Sequence, residues 1–247
     1  MQHRIVSREE WLEERKAFLA REKEFTRLRD KLSAERRRLP WVKIEKNYVF
    51  DAQEGRQTLA DLFAGRSQLI VYHFMFAPSD EQDVCKGCCF LSDHVDGARR
   101  HFEHHDVKFV AASRAPLPKL EAFKKRMGWT FDWVSSSGSD FNYDFHVSVR
   151  DEDLVDGKVF YNYELTTPWR DFHEGEMPGI SVFYKDEKGA VFHTYSSYAR
   201  GGDILIGAYN YLDLTPKGRN EDEIMGWMRR HDEYDDARDH ASCCHSG

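Results

Sequence analysis

The sequence predicts an α/β domain in which helices flank a central mixed sheet. A nearly continuous apolar run at Gln68–Phe76 is typical of a strand that is covered on both faces. A segment with helical spacing then passes through Val95, Ala98 and Phe102, and a second apolar run follows at Val107–Ala112. A strand, a helix and a second strand in this order favour a parallel pair joined by a right-handed crossover.

Residues 1–40 predict a helical arm that precedes this domain. Ser7–Arg38 reads as one long helix or a helical hairpin, and Ser7 with Glu10 fits a capping box. Four apolar residues recur at a spacing of seven: Trp11, Phe18, Phe25 and Leu32. We expect an amphipathic arm packed on the domain, while the alternative is a helix that reaches a second subunit and forms a homodimer.

The main domain is expected to span residues 41–214, with an insertion at about 138–170 and a polar tail at 215–247. Within the insertion, Asp156-Gly157 predicts a β-hairpin between HVSVR and KVFYNYE. Other segments with strand or helix patterns are 41–50 (strands), 58–63 (helix), 120–127 (helix), 129–134 (strand), 180–184 and 190–195 (an antiparallel pair) and 203–212 (helix).

Composition limits the classes of function. The chain has 247 residues and a net charge of −7, so bulk electrostatics give no support to a nucleic-acid partner. The first residues lack the apolar core of a secretory signal, and no run approaches the ~20 apolar residues of a membrane span. We therefore expect a cytoplasmic protein without a membrane partner. Five cysteines are too few for a disulfide framework and indicate catalysis or metal binding.

Cys85, Cys88 and Cys89 lie where the first strand gives way to a helix. A Cys-x-x-Cys beside a strand–helix–strand pattern suggests redox chemistry. If Cys85 lies at the first turn, unpaired N–H groups and Lys86 favour its thiolate, since such settings lower a thiol pKa from ~8.5 to roughly 3.5–7.5. Cys88 could then attack a mixed disulfide on Cys85. If the helix starts later, Cys85 and Cys89 form the pair instead, and the sequence leaves this register open.

The order of these elements resembles the thioredoxin fold. A strand, a Cys-x-x-Cys, a helix, a strand and a helix are followed by Met-Pro-Gly, an antiparallel pair and a last helix. Residues 41–65 resemble the N-terminal addition of peroxiredoxin-like members. The segments YHFMF, TPWRDFHEGEMPGISVFY, HTYSSYARG and YLDLTPKGR are similar to those of a bacterial family of thioredoxin-like proteins of unknown function, over nearly the whole chain.

The resemblance to thioredoxins implies that Cys85 is the attacking cysteine and Cys88 the resolving one. It places Pro178 at the position of their cis-proline, which packs against the disulfide and exposes backbone groups to an extended partner. Met177 and Pro178 would then bind substrate, and Arg170 could attract an anionic one. Two departures stand out: Val84 replaces the usual tryptophan, and Gln82 replaces the threonine or serine of peroxiredoxins.

A metal site is the alternative. Cysteines with a distant histidine on this fold resemble the copper-binding assembly proteins of respiratory oxidases, and soft thiolates with an imidazole suit Cu(I) or Zn. The ligands would be Cys85, Cys88 and Cys89 with His173 or His73. The tail pair Cys243-Cys244 could also serve as a resolving pair or metal donor.

The leading hypothesis is a cytoplasmic thiol–disulfide oxidoreductase, or a related thiol-dependent enzyme, acting through Cys85 and Cys88. It requires no cofactor, and its partner is a thiol or disulfide substrate that is either a protein or a small molecule. No nucleotide-binding glycine pattern occurs, so electrons would come from another protein or a small thiol. The other hypotheses are a copper or zinc protein and a non-enzymatic association module built on the helical arm.

Overall fold

The computed structural model describes residues 3–80, 84–167 and 175–234. It divides into two compact units, Met1–Trp41 and Val42–Gly247. The helices of the described part are α1 Arg8–Arg36, α2 Lys86–Ser92, α3 Val95–Glu103, α4 Leu117–Arg126, α5 Phe141–Asp144 and α6 Gly207–Leu212. The strands are β1 Val42–Lys43, β2 Val49–Ala52, β3 Gly55–Thr58, β4 Gln68–His73, β5 Val107–Ser113, β6 Asp132–Ser135, β7 Val159–Tyr161, β8 Glu164–Thr166, β9 Gly179–Lys185 and β10 Val191–Tyr198. Among the described residues, no helix is both long and apolar enough to cross a membrane.

The first unit consists of the single helix α1, not a helical hairpin. Ser7 caps it, because the serine hydroxyl accepts a hydrogen bond from the backbone N–H of Glu10 at 3.1 Å. No residue of the helix is buried. The apolar side chains spaced seven residues apart are between 52% and 67% exposed: Trp11, Phe18, Phe25 and Leu32. Both the packed arm and the homodimer stay predictions.

The second unit is built on an eight-stranded mixed sheet with the order β1-β10-β9-β4-β5-β6-β2-β3. Strand β4 pairs in parallel with β5, and β5 with β6. Strand β9 is antiparallel to β4, and β10 is antiparallel to β9. Along the chain, α2 and α3 connect β4 to β5, and α4 connects β5 to β6. Two strand–helix–strand crossovers therefore form the centre of the sheet. The predicted thioredoxin-like fold is confirmed.

Two buried clusters cover the two faces of this sheet. Successive strand residues point to opposite faces, and the end of β4 shows the consequence. Tyr72 lies in the cluster that contains Cys88 and Cys89. The next residue, His73, stacks on Phe141 and Phe145 of the other cluster, with ring centroids 5.4 and 5.8 Å apart. The cysteines therefore share the Tyr72 face and not the His73 face.

The inserted segment packs on the face of the sheet that His73 occupies. A buried carboxylate, Glu176, is hydrogen-bonded to it. This group accepts hydrogen bonds from Arg114 Nε at 2.5 Å and Ser148 Oγ at 2.8 Å. Burial raises the pKa of Glu176 to about 7, although the bonds from Arg114 and Ser148 act in the opposite direction. The insertion is thus tied through Glu176 to the chain that leads into Pro178.

The hairpin predicted at Asp156-Gly157 is displaced. These residues do form a turn with positive φ, but a single bridge between Val155 and Lys158 flanks it. The two-stranded ladder of β7 and β8 closes around Asn162 and Tyr163, whose φ values of 52° and 69° are those that a type I′ turn requires. The hairpin signal was present, but the strands pair around the next turn along the chain.

Residues 215–234 differ from the expected polar tail. Met225 and Met228 pack against the cluster that contains the cysteines, and Met228 is 5% exposed. Trp227 Nε1 donates to Glu221 at 2.8 Å, and Glu221 also accepts from the hydroxyl of Tyr209 on α6. Met228, and in part Met225, are therefore buried against the domain.

Candidate active site

Cys85 occupies the N-cap of α2. Its backbone is not helical (φ −45°, ψ 111°), and its sulfur accepts a hydrogen bond from the backbone N–H of Cys88 at 3.2 Å. The Cys88 thiol also donates to this sulfur. The helix thus begins early enough to bring Cys85 and Cys88 into hydrogen-bonding contact. All three residues are free cysteines.

Hydrogen bonds lower the pKa of Cys85. The largest contribution is the bond from the Cys88 thiol, and burial opposes it. The backbone N–H groups of Cys88 and Gly87 and the charge of Arg230 lower the pKa further. Since α2 has only seven residues, these individual donors stabilise the thiolate more directly than a helix dipole does.

Cys88 is arranged as the protonated partner. Burial, its bond to Cys85 and the charge of Cys85 raise the pKa of Cys88 well above its ordinary value. The hydroxyl of Tyr72 and the backbone N–H of Met75 donate to the Cys88 sulfur and act in the opposite direction. The two thiols of the pair are therefore inequivalent: Cys85 is the stronger acid and Cys88 retains its proton.

Cys89 faces a different environment. It is fully buried, and burial raises the pKa of its thiol. The side chain of Arg230 bonds to Cys89 and partly offsets this effect. Cys89 does not border the cavity that Cys85 and Cys88 line. It is therefore poorly placed to meet a substrate.

Arg230 connects the C-terminal segment to the cysteine helix. It is 5% exposed, and its Nη2 donates to the carbonyl of Val84, the residue before Cys85, at 2.7 Å. Its Nη1 lies 2.6 Å from Glu233 Oε1. Lys86, the cation expected from the sequence, is exposed at the cavity edge. The buried positive charge beside the thiols is thus Arg230.

A cavity of about 840 Å³ opens beside Cys85. Cys85 and Cys88 form part of one wall, and Pro178 with Gly179 at the start of β9 forms another. Met225 and Met228 of the C-terminal segment border it as well. The expected neighbourhood of the cysteine pair and the Met-Pro-Gly turn is therefore present, and Cys85 is partly exposed to it.

The expectation of a cis bond before Pro178 is wrong. Among the described residues no peptide bond is cis, and Pro178 belongs to them. Its carbonyl accepts a hydrogen bond from the hydroxyl of Tyr161 at 2.6 Å, and the same hydroxyl accepts one from the backbone N–H of Ala199 at 2.8 Å. The inserted segment thus supplies a side chain that hydrogen-bonds to the proline turn.

Met177, another predicted substrate-binding residue, does not line the cavity. Met177 is 1% exposed and packs in the cluster on the His73 face, because its side chain points away from that of Pro178. Arg170 lies outside the described residues. Pro178 is therefore the member of this group that the structure places beside the cysteines.

The geometry contradicts a metal site that combines His73 with the cysteines. His73 is 1% exposed on the opposite face of the sheet, where its Nε2 lies 2.8 Å from Ser181 Oγ, and burial lowers its pKa to about 3. Within the part of the chain that is described, no three His, Cys, Asp or Glu side chains are grouped to hold a metal. His173, Cys243 and Cys244 lie outside that part.

Three residues near the cysteines were not predicted from the sequence: Tyr72, Tyr161 and Arg230. Tyr72 resembled any apolar strand residue, and Tyr161 belonged to an insertion with no evident link to the cysteines. Arg230 lay in a charged segment interpreted as a tail. The spacing of Met225 and Met228, one helical turn apart in that segment, was the signal that it packs against the domain.

Comparisons with known proteins find similar solved structures and one matching family. Similar solved structures include peroxiredoxin Q of Xanthomonas campestris, with 15% identity, 66% of this chain and 90% of that chain covered, and a TM-score of 0.42. Peroxidoxin BcpB of Mycobacterium tuberculosis has 12% identity, 70% and 97% coverage, and a TM-score of 0.44. No curated protein matches the sequence. The family model for a bacterial protein of unknown function, DUF899, matches residues 1–234, and the chain belongs to that family.

Proposed function

We propose that this protein is a thiol–disulfide oxidoreductase of the cytoplasm, with Cys85 as nucleophile and Cys88 as resolving thiol. One observation carries the proposal. The partly exposed sulfur of Cys85 borders a cavity and accepts hydrogen bonds from both the thiol and the backbone N–H of Cys88. Since the thiolate is the reactive form, donors aimed at this sulfur favour attack at neutral pH.

The reaction would proceed in two exchanges. The Cys85 thiolate attacks one sulfur of a substrate disulfide, a bond forms between Cys85 and that sulfur, and the other substrate sulfur leaves as a thiolate. Cys88 then loses its proton to solvent or the departing thiolate and attacks Cys85. The bound half of the substrate leaves, so the substrate is reduced to two thiols while Cys85 and Cys88 are oxidised to a disulfide.

The surroundings of Cys88 suit the second exchange. The charge on Cys85 is one of the causes that raise the pKa of Cys88. In the mixed disulfide Cys85 carries no charge, so this cause disappears. The donors Tyr72 and Met75 remain and favour the Cys88 thiolate. Formation of the mixed disulfide would therefore activate the resolving thiol.

The experiment uses the reduced 247-residue chain with Cys243 and Cys244 replaced by serine, so that only the three described cysteines can react. After treatment with dithiodipyridine, Cys88→Ser should retain a thiopyridine adduct on Cys85, identified by peptide mass spectrometry. The starting protein should instead end with a Cys85–Cys88 disulfide. Cys89→Ser is the matched control and should behave like the starting protein. An adduct on Cys89 alone, or no adduct at all, contradicts the proposal.

A further inference from the structure

We propose that the substrate is a small organic disulfide with an uncharged, apolar body, and not an extended segment of a protein. This inference rests on the proposed function, since it concerns the molecule that Cys85 attacks. Three properties of the described site support it: the size of the cavity, the character of its walls, and the state of the Pro178 carbonyl.

The size suits a small molecule. Ligand pockets usually measure ~300–1,000 Å³, and the cavity beside Cys85 measures about 840 Å³. A flat protein surface would present no such hollow. A substrate with two organic groups around a disulfide could place one sulfur at Cys85 and keep most of its surface within the walls.

The walls are largely apolar and their charges balance. Leu91, Ile180, Ile206 and Met225 from four separate segments line the cavity. The charged side chains are two cations and two anions, namely Lys86, Arg200, Asp203 and Glu223. The cavity thus gives no net attraction to a strongly charged disulfide, while apolar burial stabilises an uncharged one.

Met225 and Cys85 both lie close to Gly87 at the cavity. A Cβ atom added to Gly87 would lie 3.3 Å from Met225 Sδ and 3.9 Å from Cys85 Sγ. Methionine is flexible and polarizable, so it can fit the irregular surface of varied apolar groups. Ile224, which also lines the cavity, is 62% exposed and extends the apolar wall toward solvent.

The proline turn is poorly suited to an extended peptide. A peptide that docks there needs free backbone groups, but Tyr161 donates to the carbonyl of Pro178 at 2.6 Å. Strand β9, which follows the proline, is hydrogen-bonded to β4 on one side and β10 on the other. Neither this carbonyl nor the strand offers an open edge to a protein substrate.

The test compares single-turnover rates of the reduced chain that carries the two tail serines. The probes are dithiodipyridine, which is neutral and aromatic, oxidised glutathione, which is polar and charged, and insulin, a protein disulfide. Each rate is divided by the rate at which N-acetylcysteine reacts with the same probe. This ratio corrects for the intrinsic reactivity of each disulfide. We expect the normalised rate for dithiodipyridine to exceed that for glutathione by about tenfold, the equivalent of about 1.4 kcal/mol.

The variants locate the preference in the cavity. Ile224→Ser and Met225→Ser should each reduce the preference for dithiodipyridine by about fourfold, the effect of about one buried methylene group. Leu214→Ser is the matched control, because Leu214 is 84% exposed and does not line the cavity, and it should retain the preference. Tyr161→Phe frees the Pro178 carbonyl and should raise the insulin rate.

The outcomes separate the two proposals. Equal normalised rates for all probes, a faster reaction with insulin, or a preference that neither cavity variant changes would overturn the substrate class while leaving the thiol chemistry intact. If no disulfide reacts at Cys85, the proposed function itself fails. A tenfold preference that falls in both cavity variants and persists in Leu214→Ser would support the inference.

Discussion

Replacement of Arg230 by methionine tests the link between the C-terminal segment and the reactivity of Cys85. Its guanidinium donates to the buried Val84 carbonyl at 2.7 Å, and such a charged bond contributes about 1.5–3 kcal/mol. The pair with Glu233, which is 30% exposed, adds less than about 1 kcal/mol. We therefore expect Arg230→Met to lower the free energy of unfolding by roughly 2–4 kcal/mol. Because Arg230 also lowers the pKa of Cys85, that pKa should rise in the variant.

Two measurements on the same samples separate these effects. Urea denaturation gives the free energy of unfolding, and the rate of Cys85 alkylation by iodoacetamide against pH gives the thiol pKa. The matched control is Arg229→Met, which removes an exposed arginine one residue away. Arg230→Lys retains the charge without the planar fork, and should keep the alkylation midpoint closer to that of the starting protein. If Arg230→Met lowers stability but leaves the midpoint in place, Arg230 is a structural residue only and the electrostatic argument fails.

Three further predictions concern other parts of the molecule. Tyr72→Phe removes a donor to Cys88, so the mixed disulfide on Cys85 should form normally but resolve more slowly in stopped-flow measurements; equal resolution rates would contradict this role. Because burial raises the pKa of Glu176 from 4.5 to about 7, its contribution to stability is complete below pH 4.5 and is lost as the pH rises through about 7. Glu176→Gln should flatten that decline in urea midpoints, and an unchanged profile would count against it. Deletion of residues 1–41 should leave the Cys85 alkylation rate and cooperative unfolding unchanged, because both buried clusters consist of residues from the second unit; a change in either would refute this.

The centre of the fold was predictable because its signals are local and strong. The apolar runs that became β4 and β5 are covered on both faces, so burial and strand pattern agree. A helix after the cysteine cluster also followed from the spacing of apolar residues, but its first residue did not, and the structure is needed to place Cys85 at the N-cap. The same local signals gave the thioredoxin-like order of elements without any knowledge of distant contacts.

The remaining features depend on contacts between distant parts of the chain. The side of the sheet that His73 faces follows from strand register, which a short apolar run does not reveal. The bond from Tyr161 to Pro178 joins the insertion to the proline turn, 17 residues along the chain. Arg230 reaches Val84 across 146 residues. In each case the chemistry of the residue was visible in the sequence, while its partner was not.

The packing of residues 223–230 bears on how the chain tolerates shortening. By polarity alone, everything after α6 looks dispensable, and a protease or an engineered stop after Leu212 would seem harmless. Such a cut would open one side of the cavity beside Cys85, uncover the apolar surface around Cys88, and leave the Val84 carbonyl without its guanidinium donor. A shortened protein could therefore keep its sheet and still have a higher pKa at Cys85, so thiol reactivity measured on it would underestimate that of a chain that retains residues 213–234.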